Sequence, residues 1–366
     1  MDRYTCSLIR ELQGLGLDLF FFHRAKEEVY RQHLEPYGQI FGLCDLFGLD
    51  WEQRALPSAL VKFGCSIYHA PAERGIPFIS PCPRVYSLHS VTEYSYASMI
   101  QDGKLSGSLK DFLGYIPNFD SVRAIYWRMG ARCAEHILTP SEFSKREIVR
   151  FLKIEETAIS VTPLAPDPEF LSTPAGKPFV PPAAGIRQPY LLHVGGYESH
   201  KNIEGLLRVF SQIKPQWPEI QLVVVGSRPP SLALVELVAR LGLALQKDVF
   251  LLDGLTNELP QLYEYAHLFV SLSWRESFGL PYLEALCRGT PVVASSWGAT
   301  SEVVGPGGEP VDPQNEAQAC EAMLSFRDLD KRAKFSRAGL THASRFSWKS
   351  TAQATLRTYE MLLQNR

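Results

Sequence analysis

The sequence predicts a two-domain α/β protein in which each domain is a doubly wound parallel sheet. The chain has 366 residues, more than the ~100–200 of a usual single domain. Short apolar runs alternate with amphipathic stretches along most of it, the rhythm of strands and helices in a sheet covered on both faces. Between the halves, Pro174–Pro189 holds five prolines and two glycines, which suits a linker and no regular element.

The first element is a helix over Asp2–Gln13, with Tyr4, Leu8, Ile9 and Leu12 on one face. Strands follow at Leu17–Phe22, Ile67–His69, Val85–Leu88, Ile137–Thr139 and Ile159–Thr162. Helices fall near Trp51–Phe63, Val122–Glu135 and Ser141–Phe151. The second half is more regular. Its strands are Tyr190–Val194, Gln221–Val225, Val249–Leu252, Leu268–Leu272 and Pro291–Ala294. Between them lie helices Ile203–Lys214, Leu232–Leu241, Leu259–Ala266 and Leu280–Cys287, the first with apolar positions 203, 206, 207, 210 and 213. Open sheets of this kind bind ligands at the carboxyl ends of their strands.

Composition narrows the function. Lys and Arg number 37 against 39 Asp and Glu, a net charge of −2, so no general attraction to nucleic acid is expected. Seven cysteines without a C-x-x-C pair predict reduced thiols rather than disulfides or a zinc site, and hence a cytoplasmic setting. The longest apolar runs, such as Leu17–Phe22, are too short to span a bilayer, and Met1–Leu12 lacks the apolar region of a signal peptide. The D-x-D at Asp328–Asp330 lies in a charged helical stretch, not at a strand end, and reads as solvated helix surface.

Two stretches carry chemistry. Trp274-Arg275-Glu276-Ser277-Phe278-Gly279-Leu280-Pro281-Tyr282-Leu283-Glu284 follows a strand and opens a helix. Gly279 permits close backbone approach and Pro281 suits a first helical turn, so amides around Phe278, Gly279 and Leu280 form an anion site. Glu276 and Glu284 are placed to grip hydroxyls of one bound molecule at different depths. The second stretch is Tyr190–Asn202. There a strand ends in Gly195-Gly196, and Lys201 and Asn202 enter the next helix. Asn202 is a good N-cap, and Lys201 offers a mobile ammonium for a phosphate. The two turns together make a diphosphate clamp.

Val194–Asn202, the E-x7-E spacing of Glu276–Glu284, and Cys287-Arg288-Gly289-Thr290-Pro291-Val292-Val293 resemble the signature of family 4 glycosyltransferases. The resemblance extends to Phe346-Ser347-Trp348, Pro140–Ser144 and Val161–Phe170. Tyr68-His69-Ala70-Pro71 with Val85–His89 resembles the mannosyltransferase-like branch.

The resemblance implies a GT-B fold, with two Rossmann-like domains facing a central cleft and a final helix crossing back to the first. The domains would be 1–172 with about 350–366, a linker at 173–189, and 190–349. It implies a retaining hexosyltransferase that uses a nucleoside diphosphate sugar, needs no metal, and acts in polysaccharide or glycolipid assembly. Lys201 would bind the diphosphate, with Gly195, Gly196 and the amides of Phe278–Leu280. Glu276 would hold the transferred sugar, Glu284 the ribose hydroxyls, and His89 would face the sugar from the first domain. His200 and Gly196 stand where many members carry arginine, so the diphosphate charge rests more heavily on Lys201.

Three further expectations concern partners and the start of the chain. The acceptor is a glycan or lipid-linked. Arg123–Arg132, mixing arginines with Tyr126 and Trp127, is a candidate for peripheral contact with the inner face of a membrane. The family opens on a strand and a glycine-rich turn before the run that Asp2-Arg3-Tyr4 resembles, so residue 1 is expected to be a late start. That missing turn also motivates a rival reading, a non-catalytic nucleotide-sugar-binding or scaffold protein.

Overall fold

The apolar stripe at the start of the chain folds as α1 (Arg3–Gly14), with Tyr4, Leu8, Ile9 and Leu12 all buried. The computed structural model describes residues 3–24, 36, 38–43, 51–71, 75–105, 122–171 and 178–364. After α1, β1 (Phe20–Arg24) and β2 (Gln39–Leu43) pair in parallel as a separate sheet. A π-helical turn at Trp51–Ala55 runs into α2 (Leu56–Lys62). Next come β3 (Tyr68–Ala70), β4 (Arg84–Ser87), α3 (Thr92–Gln101), α4 (Val122–Cys133), β5 (His136–Thr139), α5 (Glu142–Leu152) and β6 (Ile159–Val161). Ser141 starts α5 by accepting from the Ser144 amide at 3.0 Å, and Lys153 ends it in the left-handed region.

The rest of the chain is α6 (Pro168–Leu171), β7 (Tyr190–Val194), α7 (Ile203–Ile213), β8 (Gln221–Gly226), α8 (Leu232–Arg240), β9 (Val249–Asp253), α9 (Leu259–Tyr265), β10 (Leu268–Ser271), α10 (Leu280–Cys287), β11 (Val292–Ser295), α11 (Thr300–Val304), β12 (Gly308–Val311), α12 (Glu316–Ser325), α13 (Leu329–Ala343) and α14 (Trp348–Gln364). Asp328 caps α13 by accepting from the amides of Asp330 and Lys331, which is the structural work of the D-x-D.

The chain divides into two compact units. One is Met1–Ser95, Pro117–Ala165 and Ser347–Arg366; the other is Tyr96–Ile116 and Pro166–Phe346. The division falls at Ala165 rather than at 172 because Phe170 is fully buried edge-on to Tyr263, at 5.7 Å between ring centres. Tyr96–Ile116 joins the second unit because Tyr96 and Leu105 pack with Trp274 and Trp297, and Gln314 donates to the Lys104 carbonyl at 2.6 Å.

In the first unit, besides the β1–β2 pair, four strands form a sheet in the order β3-β4-β5-β6, all parallel. Helix α14 lies on α1 within this unit. Its buried stripe is Thr351, Ala352, Thr355, Thr358 and Tyr359, whereas Leu363 is 43% exposed. Short threonines allow the helix close to its neighbours, and their hydroxyls are satisfied by the preceding turn: Thr355 Oγ1 donates to the Thr351 carbonyl at 2.9 Å.

The second unit holds a six-stranded parallel sheet in the order β12-β11-β10-β7-β8-β9. From β7 the chain steps outward through β8 and β9, then returns to the other side of β7 for β10, β11 and β12. The strand order therefore reverses between β7 and β10. Strands β8, β10 and β11 are buried along their whole length, as continuous apolar runs in a doubly covered sheet should be. Ile203, Leu206, Leu207, Phe210 and Ile213 of α7 are all at or below 3% exposure, so the predicted stripe is the buried one. Two strands escape the sequence pattern, β2 and β12. β12 is Gly-Glu-Pro-Val, and its proline is tolerated because β12 is an edge of the sheet.

Candidate functional site

The two loops that the sequence marks as anion sites leave β7 and β10, the strands on either side of the reversal. Three bonds stitch these loops together. The Trp274 amide donates to the His200 carbonyl at 2.9 Å. Asn202 Nδ2 donates to the Leu272 carbonyl at 3.0 Å, while Asn202 Oδ1 accepts from the Gly205 amide at 3.2 Å and so caps α7. Asn202 adopts the left-handed region (φ 52°), which asparagine tolerates better than most residues. Between the loops, Lys201 Nζ lies 2.7 Å from Glu276 Oε1, with side chains 20% and 17% exposed.

Glu276 is held from several sides. Burial pushes its carboxyl up, but the charge and hydrogen bond of Lys201, with His200 and a bond from Ser273, outweigh that and hold it below the usual range. The loop after β11 fixes its backbone: the Ala299 amide donates to the Glu276 carbonyl at 2.9 Å. Gly298 (φ +99°) bridges to Glu276 there, and a Cβ at 298 would overlap that carbonyl oxygen. Burial and the Glu276 carboxylate push the Tyr96 and Tyr282 hydroxyls up, so both phenols face the site neutral.

Helix α10 starts at Gly279 (φ +91°), with Pro281 in its first turn and no side-chain cap. The phenyl of Phe278 is buried and lies edge-on to Phe346 at 6.1 Å between ring centres, so Phe278 anchors the turn from below while Leu280 opens the helix. A helix N-terminus without a side-chain cap keeps its positive end for an anion. Glu284 is two turns further along the motif and only 3% exposed, with Oε2 accepting from the Tyr263 hydroxyl at 2.8 Å.

The glycine pair differs from its expected role. The Gly195 amide donates to the Val225 carbonyl at 3.0 Å, extending the β7–β8 ladder, and is no donor for an anion. Glu198 folds back over Gly196, since its carboxylate takes the space a Cβ there would fill. Gly195 instead gives room: a Cβ there would stand 3.0 Å from His193 Nε2 and 3.7 Å from the Lys201 stem.

His193 carries no sequence signal beyond a polar residue in an apolar strand, yet it lines this site. Its Nδ1 bonds the Val270 carbonyl at 2.9 Å, which fixes the proton there, and its buried Nε2 has no hydrogen-bond partner. Burial lowers its pKa to about 4, so the ring is neutral at neutral pH. His89 belongs to the first unit, with its ring edge-on to Tyr4 at 4.6 Å and its carbonyl accepting from Ser144 Oγ at 3.2 Å. A buried chain beside it links four elements, α14, β3, β4 and α1. Tyr359 of α14 bonds His69 Nδ1 at 2.6 Å, His69 Nε2 meets Ser87 Oγ at 2.8 Å, and Tyr4 of α1 meets the same oxygen at 2.7 Å.

Among the described residues no cluster of three His, Cys, Asp or Glu side chains could hold a metal ion, and no helix is long and apolar enough to cross a membrane. Of the Arg123–Arg132 stretch, the side chains through Trp127 lie outside the described residues. Arg128 stacks on and bonds Tyr94, and Met129 and Arg132 are exposed. An apolar cavity of about 320 Å³ lies along the edge strand β9, lined by Ala183, Pro230, Leu245, Val249 and Phe250. It contains none of the site residues.

The sequence matches two family models placed end to end: Glycosyltransferase Family 4 over residues 1–170 and Glycosyl transferases group 1 over residues 181–341. It is 33% identical over 235 residues to O-antigen chain mannosyltransferase B of Escherichia coli, a match that takes in 63% of this chain and 61% of that relative. The chain thus spans less than two thirds of that relative's length. Among solved structures, a glycosyltransferase from Rickettsia africae superposes with a TM-score of 0.73 at 17% identity, over 100% of this chain and 95% of that one. Anabaena HepE, solved with UDP and glucose, superposes with a TM-score of 0.68 at 17% identity over 98% and 96%. The fold is GT-B. With both halves matched by these models and their strands arranged in two Rossmann-like sheets, the chain belongs to the family 4 glycosyltransferases and is mannosyltransferase-like.

Proposed function

We propose that the chain transfers a hexose from a nucleoside diphosphate sugar to an acceptor hydroxyl with retention of configuration, in polysaccharide or glycolipid assembly. One observation carries the reading: at the reversal of the second sheet, Lys201 and Glu276 stand together beside the uncapped N-terminus of α10. A diphosphate and a hexose are the two halves of a ligand that such a cation and such a carboxylate would share.

The chemistry follows from charge. Departure of the nucleoside diphosphate builds negative charge on the β-phosphate, and the preorganised positive ends of Lys201 and α10 stabilise it. Charge neutralisation by these groups needs no metal. Glu276 holds sugar hydroxyls, and Glu284, oriented by Tyr263, takes the ribose. His89 is assigned to the transferred sugar, and the leaving phosphate itself assists the acceptor on the same face of the sugar.

The acceptor is a glycan or a lipid-linked saccharide, in keeping with the relative named as an O-antigen chain mannosyltransferase. For a lipid-linked acceptor, exposed Met129 and Arg132 on α4 form the peripheral membrane contact. The free cysteines among the described residues suit a cytoplasmic location. A panel of UDP-, GDP- and ADP-sugars tests the reading, because specific binding raises the melting temperature. The matching donor should then yield free nucleoside diphosphate in the presence of acceptor glycans. A melting temperature unmoved by every donor would refute it.

A further inference from the structure

Resting on the donor-site reading above, we propose that Glu276 is an internal competitor for the phosphate-binding cation: it occupies Lys201 when no sugar is bound and thereby expels the spent nucleoside diphosphate.

The argument begins with what the ion pair requires. Lys201 enters from the turn before α7 and Glu276 from the loop after β10, 75 residues apart in sequence, and only the adjacency of β7 and β10 brings them to 2.7 Å. Both are partly buried, so the contact is less screened than a surface pair. The loop around Glu276 is held by Ala299 and Gly298 through its backbone. Its carboxylate therefore has a short tether and, besides the bond from Ser273, two alternative partners: Lys201 and the hydroxyls of a bound sugar.

A nucleotide sugar satisfies both members of the pair. Its β-phosphate draws Lys201 while its sugar hydroxyls donate to Glu276, so the carboxylate loses one partner and gains another. The free nucleoside diphosphate offers only the phosphate. With the hexose gone, Glu276 has no sugar hydroxyl to accept from, and its return to Lys201 competes directly with the β-phosphate. The same residue that grips the sugar in the donor complex thus weakens the product complex. The site distinguishes donor from product by the presence of the hexose, without a moving lid.

Titration calorimetry of the full chain with UDP, GDP and ADP tests this, using Glu276→Gln, Glu276→Ser, Lys201→Met and the combination of Lys201→Met with each Glu276 variant. Serine removes the charge and is two atoms too short to reach Lys201 as the carboxylate does, which covers the case in which the glutamine oxygen still holds Lys201. Either Glu276 variant should bind the recognised nucleoside diphosphate three- to thirtyfold more tightly than the wild type, while Lys201→Met binds it at least tenfold more weakly. In the Lys201→Met background the Glu276 changes should alter affinity less than twofold, because the competition acts through the lysine. Unchanged or weaker binding in both Glu276 variants overturns the proposal. So does tightening that persists without Lys201, since the carboxylate would then be repelling phosphate directly. Melting curves confirm that each variant is folded. If none of the three nucleotides binds the wild type or either Glu276 variant, the donor-site reading falls and this inference with it; binding without the predicted change sinks this inference alone.

Discussion

The hydroxyl of Tyr263, on α9, donates to Oε2 of Glu284, on α10, across 2.8 Å of buried space. The bond sets the orientation of the Glu284 carboxylate. Tyr263→Phe keeps the ring contacts with Phe170 and Phe269 and removes only the donor. We expect a ~3- to 30-fold weaker affinity for the free nucleoside diphosphate, from the loss of a charge-assisted bond worth ~1–2 kcal/mol. Glu284→Gln should weaken the same affinity further. Calorimetry on both variants checks this, and equal affinities for wild type and Glu284→Gln would remove Glu284 from the nucleotide site.

Lys201→Ala strips the site of its mobile cation. A lysine–phosphate contact of this kind contributes ~1.5–3 kcal/mol, so donor affinity should drop by roughly ten- to a hundredfold or more. The measurement is donor binding alongside turnover. Wild-type values for both would rule out the clamp.

Gly298 should not tolerate a methyl group. Its φ of +99° is unfavourable for an L side chain, and the added Cβ would meet the Glu276 carbonyl. Gly298→Ala should cost ~1–3 kcal/mol of stability and depress transfer by shifting Glu276. A variant with unchanged melting and turnover would show that this loop does not position the glutamate.

The last helix should hold the first unit together. Removing residues after Trp348 takes most of α14 away from α1 and leaves the His69–Ser87–Tyr4 chain without Tyr359. The truncated protein should melt earlier and bind more of a hydrophobic dye. Tyr359→Phe, which removes only the hydroxyl on His69, should cost ~1–3 kcal/mol. Identical melting for the truncated and full chains would contradict the role given to α14.

Stability should fall in mild acid. Burial lowers the pKa of His69 to about 3 and that of His193 to about 4, against an ordinary value near 6.5. Above pH 6.5 both rings are neutral folded or unfolded, and stability is full. Below it the unfolded chain takes up protons that the folded chain refuses, so stability is lost as pH falls toward the folded values. Each ring contributes a slope of up to ~1.4 kcal/mol per pH unit. His193→Phe keeps the stacking on Phe269 and should flatten the slope between pH 6.5 and 4.5. Denaturant titrations across that range measure it, and an unchanged slope in the variant would contradict the burial argument.

Much of the second unit could be read from residues alone, for identifiable reasons. Strand β7 and helix α10 have the bounds the sequence predicts, because an unbroken apolar run and a Gly-x-Pro start leave little choice. The E-x7-E spacing located both glutamates. Their partners were not legible: Tyr263 precedes Glu284 by 21 residues on another helix, and nothing local links Lys201 to Glu276. His193 hid for a related reason, since its only bond is to a backbone carbonyl of the adjacent strand. On α14 threonines face inward while Leu363 is exposed, a preference set by how closely helices approach and invisible in hydropathy.

The contact between α1 and α14 also sets an order of assembly. Tyr4 packs near Trp348, so the first residues of the chain meet their cover only after more than 300 others have been made. During synthesis at ~5–20 residues per second, α1 would wait tens of seconds with its apolar face uncovered. The second unit draws most of its residues from the unbroken stretch Pro166–Phe346 and can close earlier. The first unit is thus completed after the second, because the contact that covers α1 is made only once α14 has been synthesised.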